Sequence, residues 1–306
     1  MSERDWLVEF SMWLREQELA ERTMKSYLGA LGVFAAWFER TYGRPFSPRQ
    51  LTARDVQTYK HELQQIRKLK ASTVNISLAM LRTVAKWCMS TGALVEDPAA
   101  VVSFAELAVA PPRWLTRAEL RKLLAEFERD INHAEARQAP ERASQGRRDL
   151  AIVTLMAGAG LRIGETLDLD LGDIEFKHKP KGGKALIRNG KGGLQREAYF
   201  GPEAYEALAA WLAVRGRAAG ALFTSQKGGR LKPRTFQSAF AERAHKAGLE
   251  EATPHSLRHY FGKRLIDNNE PITKVARLMG HRRIQTTARY AEPGQAELAA
   301  AAEGLF

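Results

Sequence analysis

Cysteine is almost missing from this chain, with one residue in 306, Cys88. That excludes an internal disulfide and suits a reducing cytoplasm. Its neighbour Trp87 and a helical apolar pattern predict a packed thiol, not a reactive one. Long apolar runs are missing too. Nothing approaches the ~20 residues of a membrane span, and the first residues, MSERDWLVEF, are acidic where a signal peptide is basic and then apolar. The expectation is a globular protein in the cytoplasm. Negative charge is in deficit, with 35 Asp+Glu against 47 Lys+Arg and a net charge of +12. Such an excess points to a polyanionic partner, nucleic acid first, although charge alone also fits ribosomal or membrane-surface proteins. The deficit is uneven: residues 1–110 hold 14 basic against 12 acidic residues (+2), the remainder 33 against 23 (+10).

What is present reads as two domains. Over residues 1 to about 104 of a first domain, 1–107, the pattern predicts four or five helices. Trp6, Phe10 and Trp13 form one stripe; Leu28, Leu31, Phe34 and Phe38 form a second after Thr23, a candidate cap. Thr52 followed by Asp55 resembles a capping box for a helix with Val56, Tyr59, Leu63 and Ile66 on one face. Ser72 is a candidate cap for a fourth, with Ile76, Leu81, Val84 and Trp87 inside and Gly92 at the end. The basic run Arg67, Lys68, Lys70 is either a solvated helix end or a phosphate contact. Asp97-Pro98 breaks the pattern, and consecutive prolines make 108–113 a linker.

The second domain, 114–306, opens with a helix capped by Thr116 and Glu119. Residues 131–148 are polar and lack a clear period, which predicts a surface insertion. An apolar helix then runs to a Gly158/Gly160 break that holds Arg162, followed by a short helix with Glu165. An arginine between buried apolar segments is costly unless paired, so an ion pair with Glu165 is the plain reading. From 173 to 200 the period changes: DIEF, KALIR and LQREAYF read as short strands separated by the turns KPKGG and NGKGG. Lys191 lies in the second turn, with Lys181 and Lys184 as nearby rivals. Helices follow after Pro202 and within the stretch up to Leu249.

The stretch from Thr253 to Tyr290 carries the most chemistry. Thr253-Pro254 starts a helix with Leu257, Phe261 and Leu265 on its buried stripe. At about 100° per residue, His255, Arg258 and Gly262 share one edge, with the glycine leaving room for a bulky ligand. A second helix, from Pro271, stops at Gly280, so that a turn holds His281. Tyr290 follows nine residues later.

HSLRH, then LMGH, then Tyr290 in that order and spacing closely resemble the C-terminal signature of the tyrosine recombinases, the phage-integrase and Xer-type group. GLRIGE and GKGGLQRE are similar to that family's arginine box and lysine hairpin. The resemblance selects Arg162 and Lys191 and implies a fold that is mainly α with a small antiparallel β-sheet. It places a helical SAM-like core-binding domain at 1–107 and an α+β catalytic domain at 114–306, with an exchange helix at 295–306 that docks on a neighbouring protomer. It also implies cleavage and rejoining of double-stranded DNA at inverted-repeat sites by a homo-oligomer, normally a tetramer, through a 3′-phosphotyrosyl bond, with no cofactor, metal or ATP.

The residue types suit that chemistry. A phenol of pKa near 10 is only about 0.1% ionised at pH 7, a penalty of roughly 4 kcal/mol, so cations must relieve it. Arg162 and Arg258 would clamp the phosphate with planar forks and His281 would donate a hydrogen bond. His255 is the expected proton acceptor for Tyr290, and Lys191 the acid for the 5′ oxygen. His259 is read as structural. Three rivals remain. A zinc hydrolase is disfavoured because HSLRH lacks the glutamate and carries a repelling arginine. A non-cleaving DNA-binding accessory protein gains little from a tyrosine ringed by cations. A type IB topoisomerase would share the chemistry but relax DNA without a specific site.

Overall fold

Aromatic residues at helical spacing in the first hundred positions close on one another as a single cluster. In the computed structural model, which describes residues 5–17, 19, 21–107, 114–188, 195–281 and 283–291, the chain divides into two compact units, Met1–Ala110 and Pro111–Phe306. The linker expected at 108–113, Lys191 and the tail helix expected at 295–306 lie outside the described residues.

The first unit is helical: α1 (Asp5–Glu16), α2 (Glu21–Tyr42), α3 (Ala53–His61) and α4 (Ala71–Ser90). Phe34 lies edge-on to Phe46 and Tyr59 at 4.8 and 4.9 Å, and Trp37 packs on Tyr59 at 4.7 Å. The capping box at α3 is present, with Thr52 Oγ1 accepting from Asp55 N and Asp55 Oδ2 accepting from Thr52 N. Thr23 and Ser72 are not caps. The first lies inside α2, and Lys70 precedes α4. Cys88 is buried, which pushes its thiol up to about 11.

Two residues expected inside are outside. Ile66 is 66% exposed because α3 continues as a π turn over Glu62–Ile66, with Arg67 N bonded to Glu62 O, and the extra residue per turn rotates Ile66 off the apolar face. Ile76 is 47% exposed; the buried face of α4 runs through Val74, Leu78, Leu81, Ala85 and Cys88, and two residues from Val74 is a rotation of about 200°. After α4 the chain is irregular but tied down. The Asn75 side chain exchanges two hydrogen bonds with the Ala105 backbone, and Arg82 reaches Ala99 O and Val102 O.

The second unit contains α5 (Arg117–Ala136), α6 (Pro140–Ala159), α7 (Ile163–Asp168), then β1 (Ile174–His178), β2 (Lys181–Ile187) and β3 (Arg196–Phe200). It continues with α8 (Pro202–Arg215), α9 (Pro233–Lys246), α10 (Pro254–Asp267), α11 (Ile272–Met279) and the short α12 (Gln285–Ala288). The fold is therefore mainly α with a small sheet. The strands are antiparallel in the order β1-β2-β3, with Ile174 opposite Ala185 and Ile187 opposite Arg196. Ala185, Ile187, Ala198 and Phe200 are buried in the core of this unit with α6 and α8 residues such as Ile152, Leu155 and Leu208. Gly182 and Gly183 belong to β2 and not to a turn. A Cβ on Gly183 would lie 2.5 Å from Phe200 Cζ, so the bare strand is what lets that ring lie across it.

The largest correction concerns residues 131–148, which are not a surface insertion. They are the end of α5, a tight reversal and the first half of α6, with Ile131, Ala134, Ala143 and Gly146 buried. The mean polarity of the segment hid a narrow seam of small residues. Its buried charges compensate each other, because Arg148 donates to Asp149 Oδ1 at 2.7 and 2.9 Å and to Thr224 O at 3.0 Å. A Cβ on Gly146 would sit 2.6 Å from Ile131 Cγ1. Gly146→Val should therefore lower the stability of this unit by about 1–3 kcal/mol through overpacking, read as a fall in its urea midpoint. An unchanged midpoint would restore the surface-insertion reading.

Candidate active site

Two helix ends and one buried arginine frame the site. Helix α6 stops at Gly160, which is left-handed (φ +65°) and returns its N–H to Met156 O. Helix α11 stops in the same way at Gly280 (φ +65°), and His281 N closes the six-residue turn on Ala276 O at 2.9 Å. Arg258, on α10, is 1% exposed and joins the two ends, donating from one terminal nitrogen to Gly160 O at 2.6 Å and from the other to Met279 O at 2.5 Å. Carbonyls at a helix C-terminus lack intrahelical partners and carry the negative end of the macrodipole, so they suit a buried guanidinium. Burial and the neighbouring Arg162 bring its pKa down to about 10, and it remains charged at neutral pH.

Arg162 occupies the N-cap position of α7. Glu165, one turn on, takes its guanidinium at 2.7 Å and its backbone N–H at 2.9 Å. The ion pair expected from the sequence is thus formed, and it aims the arginine. The same carboxylate also accepts from Arg196 of β3 at 2.8 Å and lies 3.8 Å from Arg258. Burial alone would raise the pKa of Glu165, but Arg196 and Arg162 outweigh it and hold the carboxyl below its ordinary value. Arg196 has no place among the residues singled out from the sequence, although it stands within the GKGGLQRE box. It crosses Gly280 so closely that a Cβ there would lie 2.3 Å from its Nε, and it reaches Leu278 O at 3.5 Å. A long cation on an edge strand gave no signal that its target is buried.

Tyr290 follows α12 and is 2% exposed. Its ring packs on Trp114 (5.2 Å between centroids) and lies parallel to His281 (6.3 Å, 3°). Its hydroxyl is 2.8 Å from Nδ1 of His259, a residue expected to be structural. Burial raises the phenol pKa, opposed by the positive charges of Arg258, Arg289 and Arg162. Gly262 does not leave room for a ligand, since a Cβ there would meet Met279 Sδ at 2.9 Å and Tyr290 Cε1 at 3.1 Å. The space belongs to the tyrosine itself.

The three imidazoles differ in setting. His255 is exposed, and its ring meets that of His259 edge-on at 4.3 Å. Partial desolvation and then Arg258 and Arg162 lower its pKa. Burial and the charges around it bring His259 down to about 3 and His281 to about 4, so both are neutral at working pH. Nδ1 of His281 is 2.8 Å from the hydroxyl of Thr287, a fully buried threonine that the sequence did not single out. Thr287 can donate to Nδ1, which leaves the Nε2 hydrogen of His281 for an acceptor. Arg162, His255, Arg258, His281 and Tyr290 therefore meet in one cluster, and Lys191 falls outside the described residues. Among the described residues no group of three or more His, Cys, Asp or Glu side chains could hold a metal ion, and no helix is long and apolar enough to cross a membrane.

The model of the phage integrase family matches residues 113–297, and that of the phage integrase N-terminal SAM-like domain matches residues 6–91. The chain is 32% identical over 295 residues to "Tyrosine recombinase XerC" of Rhodospirillum centenum, covering 94% of this chain and 82% of that protein. It is 26% identical to "TnP I resolvase" of Bacillus thuringiensis, covering 95% and 96%. In fold it is similar to XerH site-specific recombinase bound to its palindromic difH substrate in a post-cleavage complex. There the TM-score is 0.72, at 20% identity, over 91% of this chain and 78% of that one.

Glu165 also makes a pH-dependent contribution to stability. Its folded pKa lies below the ordinary 4.5, so the stabilisation is complete above that value and is lost as pH falls through the folded one. Glu165→Gln should flatten the acid side of the stability profile and cost about 3 kcal/mol at pH 7 by leaving buried guanidinium groups without their counter-charge. Urea titrations of both proteins from neutral pH to below 4.5 would check this, and parallel profiles would refute it.

Proposed function

The chain belongs to the phage integrase family, the tyrosine recombinases, and on that premise we propose that it breaks and rejoins DNA strands at specific sites with Tyr290 as the nucleophile. The observation that carries this reading is that a phenol near the C-terminus lies in the field of Arg162 and Arg258, which come from two separate helices. No purely structural tyrosine needs that surrounding.

A phosphodiester would enter at the exposed side of the cluster, where Arg162 and His255 reach solvent. Arg258 spends one N–H on each of two carbonyls and keeps the remainder of its five donors for the phosphate. The three arginines carry one more positive charge than Glu165 and a single phosphate together neutralise, which favours the more highly charged transition state over the bound diester. His281, neutral and oriented by Thr287, would give its Nε2 hydrogen to a non-bridging oxygen. The Tyr290 oxygen then bonds to phosphorus while the bond to the 5′ oxygen breaks, with Lys191 as the acid for that oxygen. His255, beside Arg258, is the proton acceptor that the family resemblance implies. The 3′-phosphotyrosyl linkage keeps the energy of the broken bond, so rejoining needs no ATP or metal. The partner is double-stranded DNA, and two inverted half-sites with exchange of strands imply a homo-oligomer, four protomers at full assembly.

The test uses a duplex selected from a randomised inverted-repeat pool by retention on the Tyr290→Phe protein, prepared with nicks tiled through it so that cleavage is trapped. Wild type should form a covalent adduct that EDTA does not suppress, and Tyr290→Phe should bind the duplex and form none. Arg258→Lys should slow adduct formation about 10²–10³-fold. An adduct formed by Tyr290→Phe, or one abolished by EDTA, would overturn the mechanism. Relaxation of supercoiled DNA without any preferred site would favour a topoisomerase.

A further inference from the structure

We propose that Trp114, the first described residue of the second unit, is a positioning residue for the nucleophile: its indole is the plate on which Tyr290 and the neighbouring Arg289 are both seated. The inference rests on the recombinase reading above and adds a residue that neither the motifs nor their spacing single out.

The phenol needs such a seat. Tyr290 is not part of the main core of its unit, which α6, α8 and the sheet fill. With Val275 and Met279 it forms a separate small cluster, against which Trp114, Phe261, Leu265 and Ile266 pack. The helix before it, α12, has four residues, too few to hold their shape in water by themselves. Two hydrogen bonds tie that turn down, from the Tyr290 N–H to Thr287 O at 2.9 Å and between Thr287 and His281 at 2.8 Å. Both act on the turn and leave the direction of the phenol ring open.

Trp114 sets that direction. The Tyr290 ring lies 5.2 Å from the indole at 41°, and Cζ of Arg289 lies 6.0 Å from it. Arg289 keeps helical backbone angles, so the two side chains leave the turn about 100° apart. One indole reached by both lies between them and fixes the rotation of the turn. Among the described residues Arg289 makes no ion pair or hydrogen bond, and the cation–π contact is its anchor. The same indole meets His259 edge-on at 5.7 Å, the residue whose Nδ1 is 2.8 Å from the phenol oxygen. The plate is itself rigid: Leu115 is buried in the main core, and Thr116 opens α5 with a capping box to Glu119. An indole carried by the start of α5 thus orients a phenol that follows α12.

Attack on phosphorus depends on that orientation, because a misplacement of about 1 Å costs about 10²-fold in rate. Loss of the indole would let the ring swing and admit water beside it. Burial is the main cause of the raised phenol pKa, so the phenol would then become more acidic. The charged and titratable groups around it are Arg162 on α7, His255, Arg258 and His259 on α10, His281 beyond α11, and Arg289. Substitution at 114 changes none of them. A slower reaction of a more acidic phenol therefore marks misplacement, since easier ionisation by itself would speed the attack.

The experiment compares wild type, Trp114→Leu and Trp114→Phe for retention of the nicked, selected duplex and for single-turnover adduct formation at saturating protein. Urea midpoints report folding. Trp114 is only half-buried, and leucine keeps apolar bulk there without a ring. Trp114→Leu should retain the duplex and slow adduct formation about 10²-fold, and Trp114→Phe, which keeps an aromatic face, less than about tenfold. With ring-labelled tyrosine, the carbon resonance of Tyr290, identified by its loss in Tyr290→Phe, should titrate at lower pH in Trp114→Leu than in wild type, with the other tyrosines unmoved. Adduct formation by Trp114→Leu within about threefold of wild type, equal losses in the leucine and phenylalanine variants, a defect that only follows lost retention, or a Tyr290 resonance that stays in place would each overturn the proposal. If Trp114→Leu does not fold, nuclear Overhauser contacts between the indole and the Tyr290 ring in wild type decide, and their absence overturns it. No adduct with wild type would sink the recombinase reading instead, whereas equal rates for wild type and Trp114→Leu would sink this proposal alone.

Discussion

One carboxylate, that of Glu165, makes the rest of the second unit possible. Arg162 and Arg196 bond to it directly and Arg258 lies 3.8 Å away. Two unit charges about 4 Å apart in a protein of effective dielectric ~20 interact by about 4 kcal/mol, so three guanidinium groups without an anion would push α7, β3 and α10, which carry them, apart. With Glu165 in place the cluster coheres and still keeps a positive excess. On the proposed mechanism, stability and affinity for a phosphate come from the same imbalance. A second acid would make the fold more secure and the anion site weaker.

The remaining repulsion is absorbed by backbone and not by further side-chain charge. Arg258 is buried because two helix C-termini offer it carbonyls, and both helices must stop where they do for this to happen. Gly160 and Gly280 end them in a left-handed conformation, and neither could carry a side chain, since Phe261 and Arg196 occupy the space. The glycines therefore serve three ends together: helix termination, close approach and delivery of a carbonyl. The cations in turn set the protonation of the ring groups. They help to keep His255, His259 and His281 neutral, which makes each a hydrogen-bond donor or acceptor and not another charge to be compensated.

Much of this was legible in the sequence wherever a residue acts through local spacing. The capping boxes at Thr52 and Thr116, the left-handed stop at Gly280 and the pairing of Arg162 with Glu165 are all contacts within a few residues of chain, and they formed as read. The errors lie where position depends on the three-dimensional neighbour. Residues 131–148 read as polar because only one narrow seam of the helices is apolar, and small residues on a seam carry little hydropathy. Ile66 was displaced by a π turn that no composition announces. Arg196 acts on Glu165 across 31 residues of chain, Thr287 reaches His281 only through the turn that follows α11, and His259 differs from His255 only in which side of α10 the tyrosine approaches. The family resemblance supplied the residue types, but the partner of the phenol is a matter of packing.

The burial of Tyr290 follows from these facts and not from any need for a hidden nucleophile. As the proposed nucleophile, Tyr290 must lose its proton where desolvation raises its pKa, which works against reaction, and beside cations that lower it, which works for it. In water the first effect would vanish and so would most of the second, because solvent screens the guanidinium groups as well. The buried position keeps the field of Arg162 and Arg258 strong at the cost of a phenol that is inert while the site has no anion. When phosphate occupies the arginines, their charge is shared with it, and relief of the phenol passes from their field to whichever base holds its proton. On the proposed mechanism the arginines select the substrate, and removal of the phenol proton decides when the tyrosine can act on it.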